Sequence, residues 1–203
     1  NARNKKHIIT TPMEHASIRS YFQSLKSKGY TITEIPVDKN GLICLVDLEA
    51  AITEDTVLAS IQHGNSEIGT VQNITEIGAL LKKYNVLFHT DCVQTFGKLP
   101  IHVFEMGVDS LSVSAHKIYG PKGVGACYIN PQTRWEQVFP GTSHEKGFRP
   151  GTVNVPGIAS FLTAAENILK TQWEESLRFK ELRSYFLEQI QTLPLEITVE
   201  GHS

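Results

Sequence analysis

The chain has no run of basic residues and almost no net charge: 19 lysines and arginines against 21 aspartates and glutamates leave -2 at pH 7. That excludes the cationic footprint with which a protein grips a polyanion, so no nucleic acid partner is expected. Long apolar runs are absent as well. None approaches the roughly 20 residues that span a bilayer, and the opening Asn1-Ala2-Arg3-Asn4-Lys5-Lys6 carries no apolar signal segment. The expectation is a cytoplasmic protein with no membrane partner. Cysteine is scarce: Cys44, Cys92 and Cys127 are odd in number, and none belongs to a Cys-x-x-Cys pair. A disulfide framework is excluded, and buried reduced thiols are expected. His-x-x-x-His is missing too, so no metal site is expected; the nearest pattern is His89 with Asp91, for which His63, His116 and His144 are the further donors. Nor is there a P-loop, because Lys117 precedes its glycines where that motif requires the reverse.

What is present is 203 residues with 40% hydrophobic content, enough for a sizeable core. Short Val/Ile/Leu-rich segments at 7–10, 30–37, 57–62, 86–89, 108–114 and 124–129 read as strands. Between them, helical spacing predicts a helix over 15–28 stopped by Gly29, a short one over 48–52 capped by Asp47, and one capped by Asn73 that runs to Tyr84. Strands alternating with helices or long connections predict an α/β fold with a mostly parallel central sheet and helices on both faces. Residues 141–152 are too polar and glycine-rich for a core element and read as a surface loop. From Pro156, apolar positions from Ile158 to Ile190 hold one helical register, long enough to bridge to a second domain, and 195–199 read as a strand. The expected division is 1–155 as a large domain and 156–203 as the bridging helix and the start of a small one.

Polar groups recur at the ends of the expected strands: His15 near a helix start, Asn65-Ser66-Glu67, Asp91 with Gln94, and Ser114-Ala115-His116-Lys117. In parallel sheets ligands bind beyond the carboxyl ends of the strands. Lys117 follows Leu111 and Val113 and precedes Gly123, Val124 and Gly125. Those neighbours predict a partly dry pocket, and desolvation favours a neutral, nucleophilic amine. From the residues alone each group also has a plain reading: Lys117 as a solvated lysine, His15 as a helix-start histidine, Asp91 as a turn residue, Gln94 as a solvated amide, Ser114 as a strand-end cap. Cys92 beside Asp91 is not expected to be a nucleophile.

Five blocks occur in one order: Glu14-His15-Ala16-Ser17, Asn65 to Gln72, His89-Thr90-Asp91-Cys92-Val93-Gln94, Ser114-Ala115-His116-Lys117, and His144 to Thr152. In that order they resemble the cysteine desulfurases, the NifS/IscS-like branch of the class V aminotransferase group of fold-type I pyridoxal phosphate enzymes. The resemblance implies that Lys117 holds the cofactor aldehyde as a Schiff base and then moves the substrate's Cα proton. It implies that Asp91 faces the pyridine nitrogen, Gln94 the ring hydroxyl and His15 the ring face, the last also serving as an acid or base. Asn65 would adjoin the cofactor, and Ser114, His116 and Thr152 would bind its phosphate, Thr152 from the neighbouring subunit of a homodimer. Ser66 stands where the family has a second asparagine. The activity implied is removal of sulfur from L-cysteine to give L-alanine and a protein persulfide for a sulfur-acceptor or scaffold protein. The family's upstream phosphate-binding hydroxyl, downstream persulfide cysteine and carboxylate-binding arginine have no counterpart here, so the chain resembles an inactive central fragment of a longer enzyme. The alternatives are another class V reaction, namely transamination or selenocysteine cleavage, and a non-catalytic dimerisation module.

Overall fold

The computed structural model describes residues 5–137, 139, 141 and 143–202. A six-stranded sheet forms the centre, built from β1 (His7–Thr10), β2 (Thr31–Glu34), β3 (Thr56–Ser60), β4 (Leu87–Asp91), β5 (Ser110–Ser114) and β6 (Gly125–Ile129). Its order is β2-β1-β3-β4-β5-β6, with every neighbouring pair parallel except β5 and β6, which are antiparallel. β6 reverses because only residues 115–124 separate it from β5, and a parallel pair needs a crossover of a dozen or more residues. The order runs outward from β1 in both directions, so the chain switches sides between β1 and β3. Such a switch opens a crevice at the carboxyl ends of the two strands.

Pairing registers put Ile9, Ala59 and Phe88 on one face, and alternation adds Ile61, Leu111 and Val113. These form one buried cluster with Leu48 of α2 (Leu45–Ala51) and Ile74, Ile77 and Leu81 of α3 (Ile74–Lys83). Ile8 and Phe22 of α1 (Ala16–Lys26) are buried outside that cluster, on the other face. α3 starts as its sequence predicts: Asn73 Oδ1 accepts from the Glu76 N–H at 3.4 Å, an acidic residue stands in the first turn, and Lys82 and Lys83 close the last.

α4 (Val155–Gln191) is 37 residues long, about 55 Å at 1.5 Å per residue. Asn154 caps it, and Phe161 packs edge-on against Phe96. Further along, Trp173, Leu177, Leu182 and Phe186 are exposed. Among the described residues no helix is long and apolar enough to cross a membrane.

The structure corrects several expectations. α2 begins at Leu45 after Cys44, and Asp47 lies inside the first turn, where a carboxylate still favours the helix dipole. β2 is shorter than 30–37. Residues 195–199 form no strand, because a strand needs a neighbour to take its main-chain hydrogen bonds and none pairs with them. Cys44 and Cys127 are exposed; only Cys92 is buried.

Candidate functional site

Four strands deliver their carboxyl ends to one edge of the sheet, and the side chains there can be assembled strand by strand. After β1, the turn Thr11–Glu14 leads into α1, whose N-cap is His15. The His15 Nδ1 accepts from the Ser17 N–H at 3.2 Å and lies 2.8 Å from Ser17 Oγ. Because Nδ1 is an acceptor, the proton of the neutral ring is on Nε2, at the exposed end. Glu14 behind it is 4% exposed.

After β3, Gln62 donates its N–H to Glu14 Oε1 at 2.6 Å, joining the β3 end to the β1 turn. Asn65 Oδ1 accepts from Glu67 and Ile68 N–H at 2.9 and 3.1 Å, and its Nδ2 donates to Met13 O at 3.2 Å. Nδ2 also donates to Gln62 Oε1 at 3.4 Å, and the amide thus holds the loop against the β1 turn. Ser66 is exposed, and its hydroxyl donates to Glu67 Oε1 at 3.3 Å.

β4 extends to Asp91, beyond the His89 expected from the sequence. Asp91 is 6% exposed; one oxygen, Oδ1, accepts from the Val93 N–H at 2.8 Å, and among the described residues the other has no hydrogen-bonding partner. No cation pairs with it among those residues. A buried carboxylate with one oxygen unused suits a cationic or N–H-bearing ligand group. His89, two residues back on the same face, bridges Ser60 Oγ at 2.9 Å and Ser112 Oγ at 3.0 Å, tying β3, β4 and β5 together. Burial, opposed by the Asp91 charge, holds its imidazole below the usual histidine value. Both ring nitrogens meet serine hydroxyls, and the described residues contain no group of three His, Cys, Asp or Glu side chains that could hold a metal ion. Cys92 lies 3.8 Å from His63 Nδ1, and burial pushes its thiol up to about 11, which makes it a poor nucleophile.

β5 ends at Ser114, whose Oγ is 2.7 Å from His116 Nδ1. A 3-10 turn, Ala115–Ile118, follows and stops at Tyr119 in the left-handed region, with φ 66°. Lys117 is exposed within this turn, so the dry pocket expected from its neighbours is not met. It opens instead on a cavity of about 550 Å³ against α4, shared with Lys98, Tyr119, Asn167 and Gln172. Lys98 donates to Gln94 Oε1 at 3.4 Å, which leaves Gln94 Nε2 free to donate elsewhere. Burial and the nearby Lys117 amine pull the Lys98 ammonium below its ordinary value, which puts Gln94, Lys98 and Lys117 together. Lys98 was not singled out in the sequence because its neighbours, Gly97 and Leu99, signal only a turn. Thr152 lies exposed between the turn His144–Gly147 and α4 with no hydrogen bond to the other site residues, and Arg149 borders a separate cavity of about 980 Å³ next to β6.

The family model described as aminotransferase class-V matches residues 1–201. A NifS protein of Bacillus subtilis (strain 168) is 48% identical over 197 residues, which are 97% of this chain and 50% of the relative. The cysteine desulfurase IscS of Dictyoglomus turgidum is 43% identical over 97% of this chain and 50% of its own length. A solved NifS-like protein superimposes with a TM-score of 0.91 at 38% identity, covering 95% of this chain and 53% of that one. The chain spans about half the length of the curated relatives it matches.

Proposed function

Because the chain belongs to the class-V aminotransferase family, we propose that it forms the cofactor-binding half of a cysteine desulfurase, which takes sulfur from L-cysteine, leaves L-alanine and passes the sulfur on as a protein persulfide. The observation that carries this reading is Asp91, a buried carboxylate with one oxygen capped by Val93 and the other unused, beside the switch point of the sheet. The family cofactor is pyridoxal phosphate, and its pyridine nitrogen, aldehyde and phosphate fit the donor set here. When bound, that group supplies an electron sink for the substrate's Cα–H bond.

The residues of this chain do the rest. The free oxygen of Asp91 holds the proton on the ring nitrogen; an amide there would stabilise that charge far less. Lys117 Nζ would hold the aldehyde and would carry the substrate's Cα proton. His15 flanks the ring with its exposed Nε2–H, available as an acid or base. Gln94 Nε2 donates to the ring hydroxyl oxygen, its amide oriented by the bond from Lys98. Ser114 and His116, 2.7 Å apart, bind the phosphate, joined by Thr152 of a second copy in a homodimer. Asn65 keeps the β3 loop in place beside the group. None of Cys44, Cys92 and Cys127 is assigned the sulfur-accepting role. The acceptor is a carrier or scaffold protein, and we place the reaction in the cytoplasm.

The test is a covalent map. Purified protein mixed with pyridoxal phosphate develops visible absorbance, and borohydride reduction followed by peptide mass spectrometry locates the adduct on Lys117. Lys117→Ala loses both signals, and Asp91→Asn weakens binding. An adduct confined to Lys98, or undiminished absorbance in Lys117→Ala, overturns the assignment.

A further inference from the structure

One side chain crosses the switch point of the sheet. Glu14, on the turn after β1, accepts at Oε1 from the Gln62 N–H beyond β3 at 2.6 Å and from the Thr11 hydroxyl at 3.2 Å. Among the described residues its Oε2 is buried with no hydrogen-bond partner, as is Thr10 Oγ1 at the end of β1. The groups around it can be named element by element. The β1 turn offers Thr10 and Thr11, the β3 end offers Gln62 and His63, and β4 offers Asp91, whose negative charge acts on it. His63 is engaged with Thr95 at 2.9 Å and kept neutral by burial, and the His15 ring is turned to Ser17. No cation compensates Glu14 among the described residues.

An ionised carboxylate takes hydrogen bonds on both oxygens. Here one oxygen has two donors, the other has none, and the nearest charge is another carboxylate. Burying a charge on those terms is costly, and such a group stays protonated instead. We propose that Glu14 works as a neutral carboxylic acid that positions His15 and Asp91, and that its ionisation sets the upper pH limit of the site. The bond to Gln62 fixes the peptide that carries the α1 N-cap, and so the His15 ring. Loss of the proton places a second negative charge opposite Asp91 in a dry spot and strains the junction of β1, β3 and β4. Burial raises the Glu14 carboxyl to about 8, which places that limit just above neutrality. The inference rests on the function proposed above for the roles of His15 and Asp91, but not for the state of Glu14.

Two measurements on the protein test it, one of them without cofactor. In a carbon-13 NMR titration of the cofactor-free protein, one glutamate carboxyl titrates near pH 8 and is missing from Glu14→Gln; titration of Glu14 in the ordinary carboxylate range overturns the proposal. In the second, the pyridoxal phosphate Kd is followed against pH. The wild type weakens by about tenfold between pH 7 and 9, because the second charge strains the junction that holds His15 and Asp91 in place. Glu14→Gln, the neutral isostere, keeps the pH 7 affinity and loses most of that dependence, whereas Glu14→Asp and Glu14→Ala bind worse at both pH values. An unchanged alkaline loss in Glu14→Gln, or a Glu14→Gln affinity as poor as that of Glu14→Ala, refutes the positioning role. If the wild type takes up no cofactor at any pH, the proposed function fails while the NMR titration still decides the state of Glu14.

Discussion

Gly78 stands in the middle of α3, on its buried face, where helix propensity argues for alanine by about 1 kcal/mol. The structure argues the reverse. A Cβ built there falls 2.1 Å from Met106 O, 3.1 Å from its carbonyl carbon and 3.4 Å from Gly107 Cα. All three are main-chain atoms, so no side chain can swing aside. The loop cannot readily yield either: Met106 is buried, its N–H is bonded to His102 O at 2.9 Å, and Gly107 sits at φ 63°. Relief therefore requires α3 to back away by about 0.9 Å to reach even a 3.0 Å contact. A gap of 0.5–1 Å forfeits roughly a quarter to a half of a packing contact. Ile74, Ile77 and Leu81 are each worth about 2 kcal/mol when buried, so the packing loss is roughly 1.5–3 kcal/mol. Against the propensity gain of about 1 kcal/mol, Gly78→Ala is expected to lose about 0.5–2 kcal/mol, toward the lower end of the usual range for overpacking. The assay is urea unfolding of wild type, Gly78→Ala and Ala79→Gly. Ala79, one residue on, is exposed, and its exchange to glycine reports propensity alone, a loss of about 1 kcal/mol. A Gly78→Ala protein as stable as wild type, or more so, refutes the close-approach argument.

Further predictions concern pH and capping. Burial holds His7, His63 and His89 below their usual value. The unfolded chain therefore takes up protons first as pH falls through about 6.5, and stability present above that pH is lost below it. His89→Asn should flatten this acid limb in a urea-midpoint series from pH 5 to 7.5; an unchanged slope contradicts a neutral buried ring. Glu14 works in the opposite direction: its folded carboxyl binds a proton the unfolded one has lost, so its contribution falls from pH 4.5 to about 8 by roughly 5 kcal/mol at most. Glu14→Gln removes that slope. Asn73→Ala removes the cap on Glu76 N–H and should cost about 1 kcal/mol by the same unfolding assay.

The helices and strands with strong periodicity were readable because their signals are local. Asn73 before Ile74, Ile77 and Leu81 states both a cap and a buried face. The four polar groups at the ends of strands were readable for the same reason. Lys117 illustrates where this stops: its apolar sequence neighbours point into the sheet, while the lysine itself is carried outward by the 3-10 turn. Residues 195–199 carry a strand pattern, but pattern without a partner makes no sheet. Cys44 and Cys127 look buried from their neighbours and are not, because one precedes a helix and the other lies in edge strand β6. Asn65 was legible as a polar strand-end residue, yet its role in clamping the Met13 carbonyl depends on a contact across 52 positions.

The amino-acid order by itself determined which segments are helix or strand and which carry chemically capable side chains, since both follow from spacing within a dozen residues. Tertiary structure alone decided that β1 and β3 are parallel neighbours and that the strand order switches sides between them, because strand order is settled by packing between distant segments. It also decided the surroundings of Glu14. A glutamate beside a histidine reads as an ordinary charged residue until a distant main-chain N–H, a second carboxylate and the exclusion of water are placed around it.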